Sequence, residues 1–286
     1  MKVGLLLEGG AMRGMYTCGV LDVLLKNKIK VDLIMGVSAG ALFGVNYKSR
    51  QIGRGLRFNL KYIKDKRYFG LYSYITTGNI LNAQFCFKDI PDTLDDFNYA
   101  SFKRTKEEFY AVVTNIKTGR AEYIKIDELK GDNLEYLRAS GSLPLVSKPV
   151  LINGEEYLDG GIADGIPINK INSMGIDKLI VVLTRPEGYR KKKQNMAISK
   201  RAFRKYPNLI KTIENRYKTY NNSLDEVEFL ESQKDLILIR PSRLVNIKRV
   251  EKNKEKIQEM YDLGVEDAQN KLKEIKSYLK ENKNND

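Results

Sequence analysis

The 286-residue chain contains no histidine. Its absence removes the imidazole on which Ser-His-Asp and Cys-His arrangements depend, and with it the ordinary α/β-hydrolase triad and every His-rich zinc site. Cysteine is nearly absent too. Cys18 and Cys86 stand far apart, too few and too distant for a disulfide framework or a cysteine metal cluster, and Cys18 is expected on a buried helix face as packing. No apolar run reaches the ~18 residues that a membrane-spanning helix needs. The run Val3 to Leu7, after Met1 and Lys2, imitates a secretory leader but breaks at Glu8-Gly9-Gly10, so a strand is expected there. No cofactor and no metal are expected. The expected location is cytoplasmic, with peripheral contact at the inner membrane surface.

Cations are what the chain has in excess. Fifty Lys and Arg against 36 Asp and Glu give a net charge of +14, which suits anionic partners: membrane lipid, nucleic acid or acidic substrates. The same excess also serves plain solubility. Two basic tracts stand out. Across residues 48–96, Arg50, Arg54, Arg57, Lys61 and Arg67 alternate with Phe58, Tyr62, Tyr68, Phe69 and Tyr72. This is either a solvated helical insertion or a cover whose cations meet phosphate headgroups while its aromatic faces meet acyl chains. The second tract, within residues 185–223, carries Arg190 to Lys193 and Lys200 to Lys205 and is expected to be helical and exposed.

The most informative stretch is Gly36-Val37-Ser38-Ala39-Gly40. It follows the apolar Leu33-Ile34-Met35 and leads into Ala41-Leu42-Phe43, so strand, sharp turn and helix are predicted in that order. Such a junction is the context of a nucleophile elbow, in which the serine takes a strained backbone conformation and Gly36 and Gly40 let strand and helix pass closely. Without histidine, whatever activates Ser38 must be a carboxylate, Lys or Tyr.

Upstream, a predicted strand at residues 2–8 runs into Gly9-Gly10-Ala11-Met12-Arg13-Gly14 and then into a helix whose Val20, Val23 and Leu24 face the core. The glycine spacing fits neither the dinucleotide fingerprint nor a P-loop. What it offers is a row of main-chain N–H groups near a helix N-terminus, suited to an oxyanion. Downstream, Asn153-Gly154 predicts a tight hairpin that delivers Asp159 into Gly160-Gly161, two residues without side chains beside which a hydroxyl can approach a carboxylate.

Paired strands are further predicted at 108–115 and 119–126, a helix at 132–140 capped by Asp132 or Asn133, and buried strands at 178–184 and 235–240. From Val250 onward, Ile257, Tyr261, Ala268, Ile275 and Leu279 recur at helical spacing, predicting an amphipathic helix docked on the body. Residues 281–286 are expected to fray.

Together these segments resemble the patatin-like phospholipases. The match lies in Gly9 to Gly14, Gly36 to Gly40 and Asp159-Gly160-Gly161, in that order and spacing, and Ala139-Ser140 with Pro144 is similar to that family's A-S-x-x-x-P segment. The resemblance is firm over residues 1–185 and loose beyond. It implies a three-layer α/β/α fold with a mostly parallel sheet, a catalytic pair of Ser38 and Asp159, an oxyanion hole formed by residues 9–14, and acyl esters of phospholipids and related lipids as substrates. The expected organisation is one hydrolase domain over residues 1–245, with residues 246–286 as a C-terminal helix and tail packed on it. A soluble carboxylesterase or acyl-thioesterase is the nearer alternative. A non-enzymatic basic protein binding membrane or nucleic acid is the more distant one, with nucleic acid disfavoured as a partner.

Overall fold

The computed structural model describes residues 1–280, so the frayed tail expected at 281–286 lies outside the described residues. Eight strands form one mixed, mostly parallel sheet: β1 (Val3–Leu7), β2 (Leu33–Val37), β3 (Glu108–Asn115), β4 (Ala121–Lys125), β5 (Val150–Ile152), β6 (Glu155–Asp159), β7 (Lys178–Val182) and β8 (Leu236–Ile239). β1 lies at the centre, parallel to β2 and β7, and β3 and β8 extend the parallel run on either side.

Strand side chains alternate between the sheet faces, and both faces here are apolar. Leu5 and Leu7 of β1 join one buried cluster, and Leu6 joins the other. Ile180 and Val182 against Leu179 and Val181 repeat the split in β7. Such all-apolar strands require a layer of helices on each face, which is why the molecule has three layers. Each of the three β1 leucines is fully buried, which stabilises the fold by about 1.5–3 kcal/mol per side chain.

The first layer holds α1 (Gly14–Lys26), α2 (Ala39–Lys48), α3 (Arg54–Tyr62), α4 (Leu71–Thr77), a ten-residue π-helical stretch (Phe85–Leu94), α5 (Tyr99–Arg104) and α6 (Gly131–Ser140). Against the second face lie α7 (Ile168–Asn172) and α9 (Pro207–Ser232), with α8 (Ala197–Ala202) beside α9. The C-terminal helix α10 (Lys254–Tyr278) returns to the first layer and crosses α1. Gly19 and Gly264 allow that crossing: a β-carbon on Gly264 would lie 2.1 Å from the Tyr16 carbonyl oxygen, and one on Gly19 would lie 2.2 Å from that of Tyr261. Two buried tyrosines lock it, Tyr16 donating to Asp267 and Tyr261 to Asp22. No helix among the described residues is long and apolar enough to cross a membrane.

Two local expectations need correction. Neither Asp132 nor Asn133 caps α6; the helix starts at Gly131 after Lys130, which offers no side-chain bond, and Asp132 instead accepts from Asn153 in the β5–β6 turn. The basic tract at 185–223 is not one exposed helix: an irregular segment precedes α8, and α9 runs on to Ser232.

Candidate active site

Two strands that end on the same edge of β3 create the site. Val112 of β3 pairs with Val37 of β2 on one side and with Tyr123 of β4 on the other. Val113 pairs with Glu122 of β4 and with Asp159 of β6. Since β4 occupies one edge throughout, β2 and β6 must share the opposite edge, meeting end to end at successive rungs. The residue after Val37 is Ser38, and the last residue of β6 is Asp159. Sheet register thus brings them together across 121 sequence positions, and the Ser38 hydroxyl donates to Asp159 Oδ2 at 2.5 Å.

Ser38 stands at φ 53° and ψ −123°, before the first turn of α2, in the strained region expected of an elbow. Its N–H donates to the buried Ser140 Oγ at 3.0 Å. The flanking glycines are needed for contact: a β-carbon on Gly40 would lie 2.3 Å from the Leu7 carbonyl oxygen, and one on Gly36 would meet the Ala41 backbone at 2.5 Å. Asp159 is held from three sides. Its N–H donates to the Ser142 carbonyl at 2.9 Å, its carbonyl accepts from Thr114 Oγ1 at 2.9 Å, and its Oδ1 accepts from the Gly161 N–H at 2.7 Å. Gly160 passes under Val112, where a β-carbon would lie 2.2 Å from the carbonyl oxygen.

Burial raises the Asp159 pKa above its ordinary 3.8, against the opposing pull of the Ser38 hydrogen bond, the Arg216 charge, the Gly161 N–H and the Lys191 charge. A carboxylate so raised is a better proton acceptor than a free one.

The glycine loop lies directly against Ser38: a β-carbon on Gly9 would come within 2.8 Å of that of Ser38. Gly9, Gly10 and Ala11 line a polar pocket with Ser38 and Asp159. Not every N–H of the loop is free to receive an oxyanion. Met12 N–H donates to the Arg249 carbonyl and Arg13 N–H to that of Gly10. Gly14 starts α1 and packs against Ala39 and Phe43. The N–H groups of Gly9, Gly10 and Ala11, and those opening α2, have no such commitment among the described residues.

Two cavities meet at Ser38. One, of about 140 Å³, is apolar, lined by Leu42, Phe43 and Leu137 of the body and by Phe58, Tyr68 and Phe87 of the basic insertion. The aromatic half of the cover reading therefore fits the structure. Of the insertion's cations, Arg57 pairs with Asp95 and Arg67 with Asp65, both arginines remaining largely exposed. The other cavity, of about 60 Å³, is polar and carries Arg13, Arg185, Lys191, Arg216 and Arg249. Lys191 is thus not a solvated residue of an exposed tract; burial first, then the Arg216 charge, pushes its amine down to about 7. Sequence reasoning misses Arg216 and Arg249, which no local pattern marks, and assigns no role to the Ser140 hydroxyl.

The patatin-like phospholipase family model matches residues 5–170, more than half of the chain, and a model described as a domain of unknown function (DUF6363) matches residues 206–280. An uncharacterized Escherichia coli protein, YjjU, is 27% identical over 65% of this chain and 52% of its own length. Lysophospholipase nte1 of Aspergillus niger is 32% identical over 63% of this chain but only 12% of its own length. The chain thus spans about half of the first relative and a small part of the second. Among solved structures, VipD from Legionella pneumophila is similar at 14% identity and a TM-score of 0.47, over 97% of this chain and 67% of that one. With its glycine loop, its serine elbow and its Asp-Gly-Gly turn gathered at one end of a mixed three-layer sheet, the chain belongs to the patatin-like phospholipase family.

Proposed function

We propose that this protein is a serine hydrolase of lipid acyl esters, with Ser38 as nucleophile and Asp159 as the base that activates it. The carrying observation is the 2.5 Å hydrogen bond between them at the junction of an apolar and a cationic cavity. Ser38 Oγ attacks the ester carbonyl while its proton passes to Asp159 Oδ2. The N–H groups of Gly9, Gly10 and Ala11 and the start of α2 hold the oxyanion, each donor contributing about 3–4 kcal/mol to the transition state. Collapse breaks the bond to the alcohol, which leaves with the proton from Asp159. Water, deprotonated by Asp159, then attacks the acyl carbon, releasing the fatty acid and restoring Ser38.

The apolar cavity is the acyl subsite in this reading. The fungal relatives' name, lysophospholipase, points to substrates with a single acyl chain. Contact with an aggregated lipid surface falls to α4, where Leu71 and Ile75 are 72% and 73% exposed beside Tyr72 and Tyr74. A fluorophosphonate probe tests the chemistry: the wild type is expected to be labelled at Ser38 and Ser38→Ala to be silent. Absence of labelling in the folded wild type refutes the reading. Activity that rises when a short-chain ester passes into vesicles favours a lipase, and activity indifferent to aggregation favours a soluble esterase.

A further inference from the structure

The polar cavity holds more positive charge than an oxyanion requires. Five cationic side chains line it from four parts of the chain: Arg13 from the glycine loop, Arg185 and Lys191 from the segment after β7, Arg216 from α9, and Arg249 from the approach to α10. None of the five forms a salt bridge among the described residues, although Arg190 and Arg240 nearby each do. The two carboxylates lining the cavity are already engaged. Glu8 accepts from the Thr184 N–H at 2.6 Å, the Thr184 hydroxyl at 2.9 Å and Tyr220 at 2.6 Å. Asp159 is held by Ser38 and Gly161.

Four of the five are positioned rather than loose, while Arg249 is exposed. Lys191 Nζ sits 3.8 Å from the Tyr220 ring centroid, and its backbone is clamped by Asn221 through bonds of 2.9 and 3.0 Å. Arg185 stacks on Tyr189, and Arg216 Nε donates to the Gly161 carbonyl. Arg13 Nε is buried with no hydrogen-bond partner. Like charges held together in a half-buried cavity repel, and this repulsion helps depress Lys191 to about 7 and Arg13 to about 10 after burial itself. An anion in the cavity relieves it.

We propose that this pocket is a subsite for an uncapped phosphate ester, so that the preferred substrate is an acyl ester whose polar end is a phosphate monoester. The inference rests on the ester-hydrolase reading of Ser38 and names its substrate class. A cavity of about 60 Å³ has room for about four or five water-sized groups, the scale of one tetrahedral oxyanion with its ester oxygen. A choline or ethanolamine cap would add a sixth cation to these five, with no free carboxylate to receive it. Because Ser38, Ala11 and Leu143 line both cavities, a substrate with its chain in the apolar cavity and its phosphate in the polar one presents its ester to Ser38. Arg216, Tyr220 and Arg249 belong to the region of unknown function at 206–280, and in this reading that region completes the headgroup end of the site.

The whole 286-residue chain tests this with two readouts. Calorimetric titration with glycerol 3-phosphate and with inorganic phosphate is expected to show saturable binding of both, weakened about tenfold or more in Arg249→Gln and in Lys191→Gln and largely restored in Arg249→Lys. Tighter binding of the ester points to a lipid headgroup, and tighter binding of inorganic phosphate to the free ion. In parallel, kcat/KM is compared for lysophosphatidic acid, lysophosphatidylcholine and a monoacylglycerol of the same chain. The phosphate monoester is expected to lead by about tenfold or more, with the lead collapsing in both glutamine variants. Equal rates on all three lipids, or phosphate binding unchanged by the variants, would overturn the subsite while leaving the hydrolase intact. Loss of probe labelling at Ser38 with phosphate binding retained would instead overturn the hydrolase reading.

Discussion

Tyr220 on α9 donates a 2.6 Å hydrogen bond to the buried Glu8 at the end of β1, joining segments 212 positions apart under the polar cavity. Burial and the neighbouring Glu8 charge raise the tyrosine pKa far above its ordinary value, so it stays a donor throughout the accessible pH range. Removing only the hydroxyl leaves Glu8 one bond short. Tyr220→Phe is expected to lose about 1–3 kcal/mol in urea unfolding, while the ring under Lys191 is retained. A variant as stable as the wild type would show that this bond does not tie α9 to the sheet.

Ser140 accepts the N–H of Ser38, the residue with the strained backbone. Ser140→Ala leaves that N–H buried without its partner and the elbow less constrained. We expect a loss of about 1–3 kcal/mol in stability and a slower reaction with the fluorophosphonate probe. Unchanged labelling kinetics would mean that the elbow needs no support from α6.

Burial raises Asp159, and in the proposed mechanism its carboxylate form accepts the proton from Ser38. Activity should therefore fall as pH drops through a value above the ordinary 3.8. The linkage for stability has the opposite sense: a raised carboxyl favours the native state at low pH, and that contribution is lost as pH rises through the native pKa. The acid limb of kcat/KM checks the first statement, and a limb at or below the ordinary aspartate value would contradict it.

Lys191 is depressed to about 7, by burial first, then by Arg216 and Arg249, against the raising influence of Glu8 and Asp159; Arg185, Tyr189 and Tyr220 share its cavity. It carries its charge below that value and loses it above, so kcat/KM on a phosphate-bearing substrate should show an alkaline limb near pH 7. A neutral ester should show none, and Lys191→Arg should move the limb out of range. In stability the unfolded chain binds the extra proton between about 7 and the ordinary 10.5, so stability should rise with pH across that window. Identical profiles for charged and neutral esters would remove Lys191 from the headgroup end.

Much of the fold is legible in the sequence because its signals are local. Asn153-Gly154 predicts a hairpin, and both residues have positive φ in the β5–β6 turn; the periodicity from Ile257 onward predicts α10. The approach of Ser38 to Asp159 is not local, since it depends on which edge of β3 each strand takes, and in the sequence only the family resemblance implies it. The start of α6 escapes the capping rules because Gly131, at φ +51°, enters the helix without a side-chain cap. Lys191 reads as a solvated residue because a run of cations looks the same in sequence whether one member turns inward or none does. Arg216 and Arg249 acquire meaning only once α9 and the segment before α10 close over the glycine loop.

The most direct measurement is the turnover of Asp159→Asn on an acyl ester, with circular dichroism to verify the fold. An amide preserves the size of the side chain but cannot take the serine proton, so we expect turnover to fall by about a thousandfold or more in a natively folded protein. A folded Asp159→Asn enzyme with turnover near that of the wild type would contradict the pairing of Ser38 with Asp159 as the source of catalysis.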